Sequence, residues 1–311
     1  MTLKMGLDLV KKQDVRATLV DGKAIAEQIQ EELRQGVKAL RRQAEISPGL
    51  VTLSIGEDLP RQVFFRRQRV ACDRVGIHLF ALCLPGHTLL QEVLRLIDKG
   101  NASPLVHGIV LQLPLPISQE KTLLFQALDP GKDIDGLHPM NSGRLLAGTA
   151  TLVPAALSAV LEILERNGID LVGKRVLILG RTEGFAKPLA MLLVHRFATV
   201  SVASSWEGNA ADLLQKAEIV ITNLGRPHCI TGEMLRPGSL VIDLGFNDLG
   251  GRLIGDVEPK SAAQQASLLV PVPGGVGPLI VSTLLKNTVS AYRRQVLGLE
   301  DNVEELWREG R

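Results

Sequence analysis

Asp133-Ile-Asp135-Gly136 sets two carboxylates two residues apart. In an extended segment they point to opposite sides. One can then hydrogen-bond a polar ligand edge while the other supports the loop. Asp before Gly also makes turns with no ligand involved. Gln112 interrupts an apolar strand just before Leu113-Pro-Leu-Pro116. A buried amide needs partners. It either bonds backbone at the strand end or points into a cleft, and the carboxyl ends of strands are where α/β sheets bind ligands.

The octapeptide Pro271-Val-Pro-Gly-Gly-Val-Gly-Pro278 mixes residues that no helix or strand interior would choose. Its prolines fix φ and remove donors. Its glycines bare the backbone and allow positive φ. Such a segment is either a tight connection or a stiff wall against which a flat ligand lies. At residues 175–190 a strand runs into the Gly180 turn and then a helix. That arrangement presents free N–H groups to a phosphate. Only Gly180 and Gly184 stand in for the three glycines of the full dinucleotide fingerprint.

Other chemistries are excluded. The six histidines have no i, i+4 pair, so no metal site is expected. Neither a nucleophile-elbow motif nor a Gly-Lys-Ser/Thr phosphate loop occurs. A net charge of +2 gives no broad field for nucleic acid, and 3% aromatics leave few stacking platforms. Three unpatterned cysteines point to a reducing compartment. With no signal-peptide pattern and no run of ~18 apolar residues, the expectation is a cytoplasmic protein with no membrane partner.

The elements that position these residues alternate between strand and helix, which predicts parallel sheets. Helices are expected at 23–45, 60–76, 89–99, 118–128, 155–167, 186–196, 209–216 and 279–296. The helix from 89 should stop at Gly100-Asn101. Strands are expected at 50–55, 78–84, 107–113, 174–180, 199–203, 219–222, 240–243 and 268–270. Residues 129–154 read as a long ordered loop or domain crossing, and the tail after Gly298 as a solvated helix or frayed end. The arginines at 61, 66, 67 and 69 read mainly as a solvated basic face.

In order along the chain, Val20-Asp-Gly-Lys23, Ile109-Val-Leu-Gln-Leu-Pro-Leu-Pro116, Lys132-Asp-Ile-Asp-Gly136, Asn141-Ser-Gly-Arg144, Gly180-Arg-Thr182, Val241-Ile-Asp-Leu-Gly-Phe-Asn247, Gly255-Asp-Val257 and the octapeptide resemble the bifunctional methylenetetrahydrofolate dehydrogenase/methenyltetrahydrofolate cyclohydrolase (FolD) family. The resemblance covers about residues 18–295. It implies two α/β domains facing a cleft: a folate-binding catalytic domain (1–150 plus 279–311) and a Rossmann-like domain (151–278) binding NADP or NAD. It also implies a homodimer, a folate substrate, and oxidation of 5,10-methylenetetrahydrofolate followed by hydrolysis to 10-formyltetrahydrofolate. By this likeness Gln112 and Asp135 are catalytic. Phe64, Asp135, Gly274, Gly275 and Pro278 meet the folate, and Gly180, Arg181, Thr182, Ser205 and Gly225 meet the cofactor.

The chain departs from the family pattern where chemistry is done. Phe64 stands for a tyrosine and Gln68 for a lysine. Phe64 can stack but has no hydroxyl. An amide cannot move protons near neutral pH, a role worth typically ~10²–10⁴-fold. Hydrolysis should therefore be impaired, while hydride transfer, which depends on positioning, is less affected. Ala186 replaces a glycine, Glu183 adds negative charge, and Ser204-Ser-Trp-Glu207 lacks the basic residue that would pair with a 2′-phosphate. Thr151-Leu-Val-Pro154, Val270 and Ile280 also differ from the pattern. The alternative expectation is an inactive paralogue that binds folate or nucleotide.

Overall fold

The computed structural model describes residues 17–56, 59–112, 121–180 and 184–299. The chain divides into two compact units. One holds Ala26–Ser158 and the described residues from Ile280 onward; the other holds residues 17–25 and Ala159–Leu279.

In the first unit, β2 (Gly49–Ile55) lies between β3 (His78–Leu84) and β4 (Gly108–Leu111), all parallel. Every residue of β2 is buried, as a central strand covered on both faces requires. Side-chain alternation sorts the two faces. Leu50 and Val110 pack with Val37 of α1 (Gly22–Ala44), Ala71, Cys72 and Val75 of α2 (Leu59–Val75), and Leu284 and Leu285 of α10 (Val276–Leu297). Val51, Leu53, Ile55, Ile109 and Leu111 pack on the other face with Val93 and Ile97 of α3 (Leu90–Ala102) and Leu124 and Phe125 of α4 (Lys121–Ala127).

The second unit is a six-stranded parallel sheet. Its members are β1 (Thr18–Leu19), β5 (Arg175–Gly180), β6 (Thr199–Ala203), β7 (Ile219–Asn223), β8 (Leu240–Asp243) and β11 (Leu268–Val270), in the order β1-β11-β8-β7-β5-β6. From β5 the chain steps to one side for β6 and returns to the other side for β7. That reversal makes a topological switch point at the carboxyl end of β5. Leu177, Leu179, Val220, Val241 and Leu269 form one core with Ala210 and Leu214 of α8 (Asn209–Lys216) and Ala262 of α9 (Pro259–Gln265).

Several elements differ from the expectation. The segment 17–25, assigned above to the folate domain, belongs with the six-stranded sheet, because Thr18 and Leu19 pair with Leu268 and Leu269. The stretch 129–154 contains a helix, α5 (Pro139–Leu146), started by Pro139 and by His138 Nδ1 accepting from Met140 N at 2.9 Å. α3 runs through Gly100 and Asn101. A Cβ on Gly100 would crowd Ile109 Cδ1 at 2.9 Å, so this glycine serves packing rather than termination. A hairpin, β9 (Asn247–Leu249) with β10 (Arg252–Ile254), and α9 were not expected. α6 (Ala155–Arg166) and α7 (Ala186–His195) fall within a residue of their predicted bounds.

Candidate functional site

Two groups of residues stand out, one in each unit. The first lies on the α2 side of the three-stranded sheet. Phe64, Gln68, Ala71, Cys72 and Val75 follow helical spacing along α2, and this stripe faces the apolar cluster around Leu50. Gln68 is 0% exposed, yet neither amide atom has a hydrogen-bond partner among the described residues. Leaving a buried polar group unpaired costs about 1–3 kcal/mol. Thr52 and Ser54 share the Leu50 face of β2, and both hydroxyls are buried without partners among the described residues. Gln112 falls two residues after Val110 on the same face. Its N–H donates to Leu53 O at 2.8 Å, while its Oε1 is buried and has no partner among the described residues. Four polar side chains with unmet hydrogen-bonding capacity therefore line one sheet face. Sequence reading identified Gln68 and Gln112 but missed Thr52 and Ser54, although two hydroxyls at a spacing of two inside an apolar strand were a signal.

The loop after β4 supplies Asp135. The two aspartates have different surroundings. Asp133 is buried and accepts from His138 N at 2.7 Å and Asn141 Nδ2 at 2.9 Å, which ties two of the motifs together. Asp135 is half-buried and accepts from Ala155 N, at the start of α6, at 3.1 Å. Desolvation, reinforced by the nearby Asp133 charge, pushes its carboxyl up to about 7. Asn287 of α10 donates to the carbonyls of Ile134 and Val153 at 2.7 and 2.8 Å and fixes this loop. Gly136 has φ +62, and a Cβ there would press on Leu152 O and Pro154. Phe64 is half-buried, and Arg66, Arg67 and Arg69 are exposed. Residues 113–116, which complete the Gln112 motif, lie outside the described residues.

The second group surrounds the carboxyl ends of the six-stranded sheet. Gly180 ends β5; a Cβ there would meet Ala186 Cβ at 3.4 Å and Phe185 at 3.5 Å. Arg181, Thr182 and Glu183 lie outside the described residues. The segments following β6 and β7, on either side of β5, enclose a cavity of about 250 Å³ lined by Ser204, Ser205, Trp206, Glu207, Leu224 and Arg226. Ser205 Oγ accepts from Glu207 N at 3.1 Å. Gly225 takes φ +70 between two lining residues, and the Arg226 guanidinium lies 5.4 Å from the Trp206 ring centre. Asp256 holds this loop by accepting from Thr222 Oγ1, Leu224 N, Arg226 N and Asn247 Nδ2 at 2.6–3.1 Å. Asp243 in turn accepts from Gly245 N, Asp256 N and Val257 N. Burial is the main cause that pushes its carboxyl up to about 7.

The octapeptide meets the start of α1. Gly22 N donates to Gly274 O at 2.9 Å, and a Cβ on Gly22 would overlap the Gly275 carbonyl. Gly274 has φ +101, while Gly275 has no room for a Cβ against Val270 and Pro271. Asp21 Oδ1 caps α1 by accepting from Lys23 N and Ala24 N, both at 3.0 Å. α10 starts at Val276, so Gly277 and Pro278 belong to a helix rather than a loop. Proline is tolerated there because a first-turn N–H has no helical partner. Among the described residues no cluster of His, Cys, Asp or Glu could hold a metal ion, and no helix is long and apolar enough to cross a membrane.

Comparison with known proteins places this geometry in context. The tetrahydrofolate dehydrogenase/cyclohydrolase catalytic-domain model matches residues 20–135, and the NAD(P)-binding-domain model of the same name matches 154–296. The chain is 41% identical over 278 residues to bifunctional protein FolD 2 of Geobacter sulfurreducens, covering 89% of this chain and 97% of that one. It is 41% identical over 279 residues to bifunctional protein FolD of Moorella thermoacetica, covering 89% and 99%. Its structure resembles that of Trypanosoma brucei methylenetetrahydrofolate dehydrogenase-cyclohydrolase, solved with NADP and an inhibitor. The TM-score is 0.86 at 36% identity, covering 90% of this chain and 98% of that one.

Proposed function

Because the chain belongs to the tetrahydrofolate dehydrogenase/cyclohydrolase family, we propose that it oxidises 5,10-methylenetetrahydrofolate with NAD or NADP and is impaired in the hydrolytic step. The agreement of both family models, catalytic and NAD(P)-binding, carries the enzymatic part of this reading. The dinucleotide fits the residues present: a polar-walled cavity flanks the switch point of a parallel sheet, the usual position for such a ligand. Gly180, Arg181, Thr182, Ser205 and Gly225 would hold it. When bound, its nicotinamide supplies the hydride acceptor.

In the other unit, Asp135 would hold the pterin through its N–H groups, and Phe64 would stack on the ring. Gly274, Gly275 and Pro278 are assigned to folate contact by the resemblance alone. Gln112 and Gln68 offer unpaired amide atoms to a polar substrate. Gln68 can donate and accept hydrogen bonds but cannot deliver or remove a proton at neutral pH. Water addition to the methenyl carbon, and the proton movements it needs, therefore lack their usual agent. The same resemblance assigns a homodimer, measurable by light scattering, and the three unpatterned cysteines favour a cytoplasmic setting.

The test supplies purified protein with methylenetetrahydrofolate and NAD⁺ or NADP⁺. Reduced cofactor and methenyl product are followed by absorbance. Reduced cofactor accompanied by accumulating methenyl product is expected. Rapid turnover onward to 10-formyltetrahydrofolate would refute the impairment. Folate binding without reduced cofactor would favour the inactive-paralogue reading.

A further inference from the structure

We infer that Glu207 is a specificity-determining residue that makes the cavity beyond β6 accept NAD⁺ in preference to NADP⁺. The inference rests on the dehydrogenase reading and adds which dinucleotide the site takes. In a sheet of this topology the adenosine ribose sits near the end of the second strand of the nucleotide-binding half, where an acidic side chain accepts from the 2′-hydroxyl or a basic one pairs with a 2′-phosphate. Here that strand is β6, and the residues following it form one wall of the cavity.

Among the described residues two charged side chains line the cavity, Glu207 and Arg226. Arg226 lies over the Trp206 ring, and its backbone is fixed by Asp256. The pair thus forms a flat, cationic face suited to stacking an adenine. Glu207 is held at the rim by its N–H bond to Ser205 Oγ and by Gly208, whose φ of +62 turns the chain into α8. Among the described residues its carboxylate makes no ion pair. A ribose 2′-hydroxyl can donate to that carboxylate, whereas a 2′-phosphate brings like charge to the same place.

The test is calorimetric titration of the full-length protein with NAD⁺ and with NADP⁺, repeated on Glu207→Gln and Arg226→Met. NAD⁺ should bind at least ~10-fold more tightly than NADP⁺. Glu207→Gln should tighten NADP⁺ ~10-fold and change NAD⁺ by less than about threefold. Tighter NADP⁺ binding to the unmodified protein, lost in Arg226→Met, would overturn the inference and identify Arg226 as a 2′-phosphate ligand. That result would leave the dehydrogenase reading intact. Binding of neither dinucleotide would overturn the dehydrogenase reading and this inference with it.

Discussion

Gly22 and Gly275 meet backbone to backbone: a Cβ on Gly22 would overlap the Gly275 carbonyl oxygen, so neither chain can move aside without breaking the Gly22 N to Gly274 O bond. This contact joins two of the motifs that the sequence comparison singled out. Gly22→Ala should destabilise the protein by about 2–3 kcal/mol, as overpacking does. Urea unfolding measures it, and an unchanged midpoint would mean the octapeptide yields freely.

Gln68 makes stability and activity move in opposite directions. Gln68→Met removes both unpaired amide atoms at similar volume, so unfolding should cost about 1–2 kcal/mol more. Folate binding should weaken in the same variant. Gln68→Lys combined with Phe64→Tyr should raise cyclohydrolase turnover by ~10²-fold or more. Turnover that stays flat in the double variant would show that the loss extends beyond these two positions.

Asp135 links protonation to both folding and ligand. Its carboxyl is raised from 3.8 to about 7 in the fold, so its folded form holds a proton more tightly than its unfolded form. The stability it contributes is therefore full below about pH 4 and is lost as pH rises toward 7. Asp243 acts in the same direction over the same window. Asp135→Asn can keep the Ala155 N–H bond, and it should flatten part of that decline in pH-dependent thermal unfolding. Folate held through an ionised Asp135 should bind more weakly below pH 7, and this dependence should vanish in the variant.

Lys132 is a buried cation at the end of α3. Its Nζ donates to the carbonyls of Gly100, Asn101 and Ser103 at 2.6–3.2 Å, where a helix leaves acceptors unmet. Lys132→Met should destabilise the protein by about 2–3 kcal/mol. His107 is held down to about 4 first by burial and then by the Lys132 charge. The variant should raise the His107 pKa, observable by NMR titration. An unmoved value would mean burial alone sets it.

Much of this architecture was legible in the chain. Runs such as those at 199–203 and 240–243 are strands because β-branched and apolar residues alternate with turn residues at their ends. What stayed hidden depended on partners distant in sequence. Gly100 reads as a stop because nothing local announces Ile109. Two residues at Thr18 make a strand only because β11 lies beside them. α5 was concealed by Pro, Asn and Gly that normally signal loops, although Pro139 also fits the first turn of a helix. Among the candidate site residues, Gln112 and Asp135 were visible by type and place. Thr52 and Ser54 were not, since a hydroxyl in a strand does not reveal whether it finds a partner.

The four donors gathered on Asp256 come from two separate segments, 222–226 and Asn247, and they set the backbone of Leu224 and Arg226 before any ligand arrives. Fixing a residue's backbone costs roughly 1–2 kcal/mol in entropy. At this wall that cost is met when the chain folds, so association with a nucleotide need not bear it. Amide exchange at Leu224 and Arg226 should therefore be slow in the free protein and change little on binding, even though Arg226 lies at the surface.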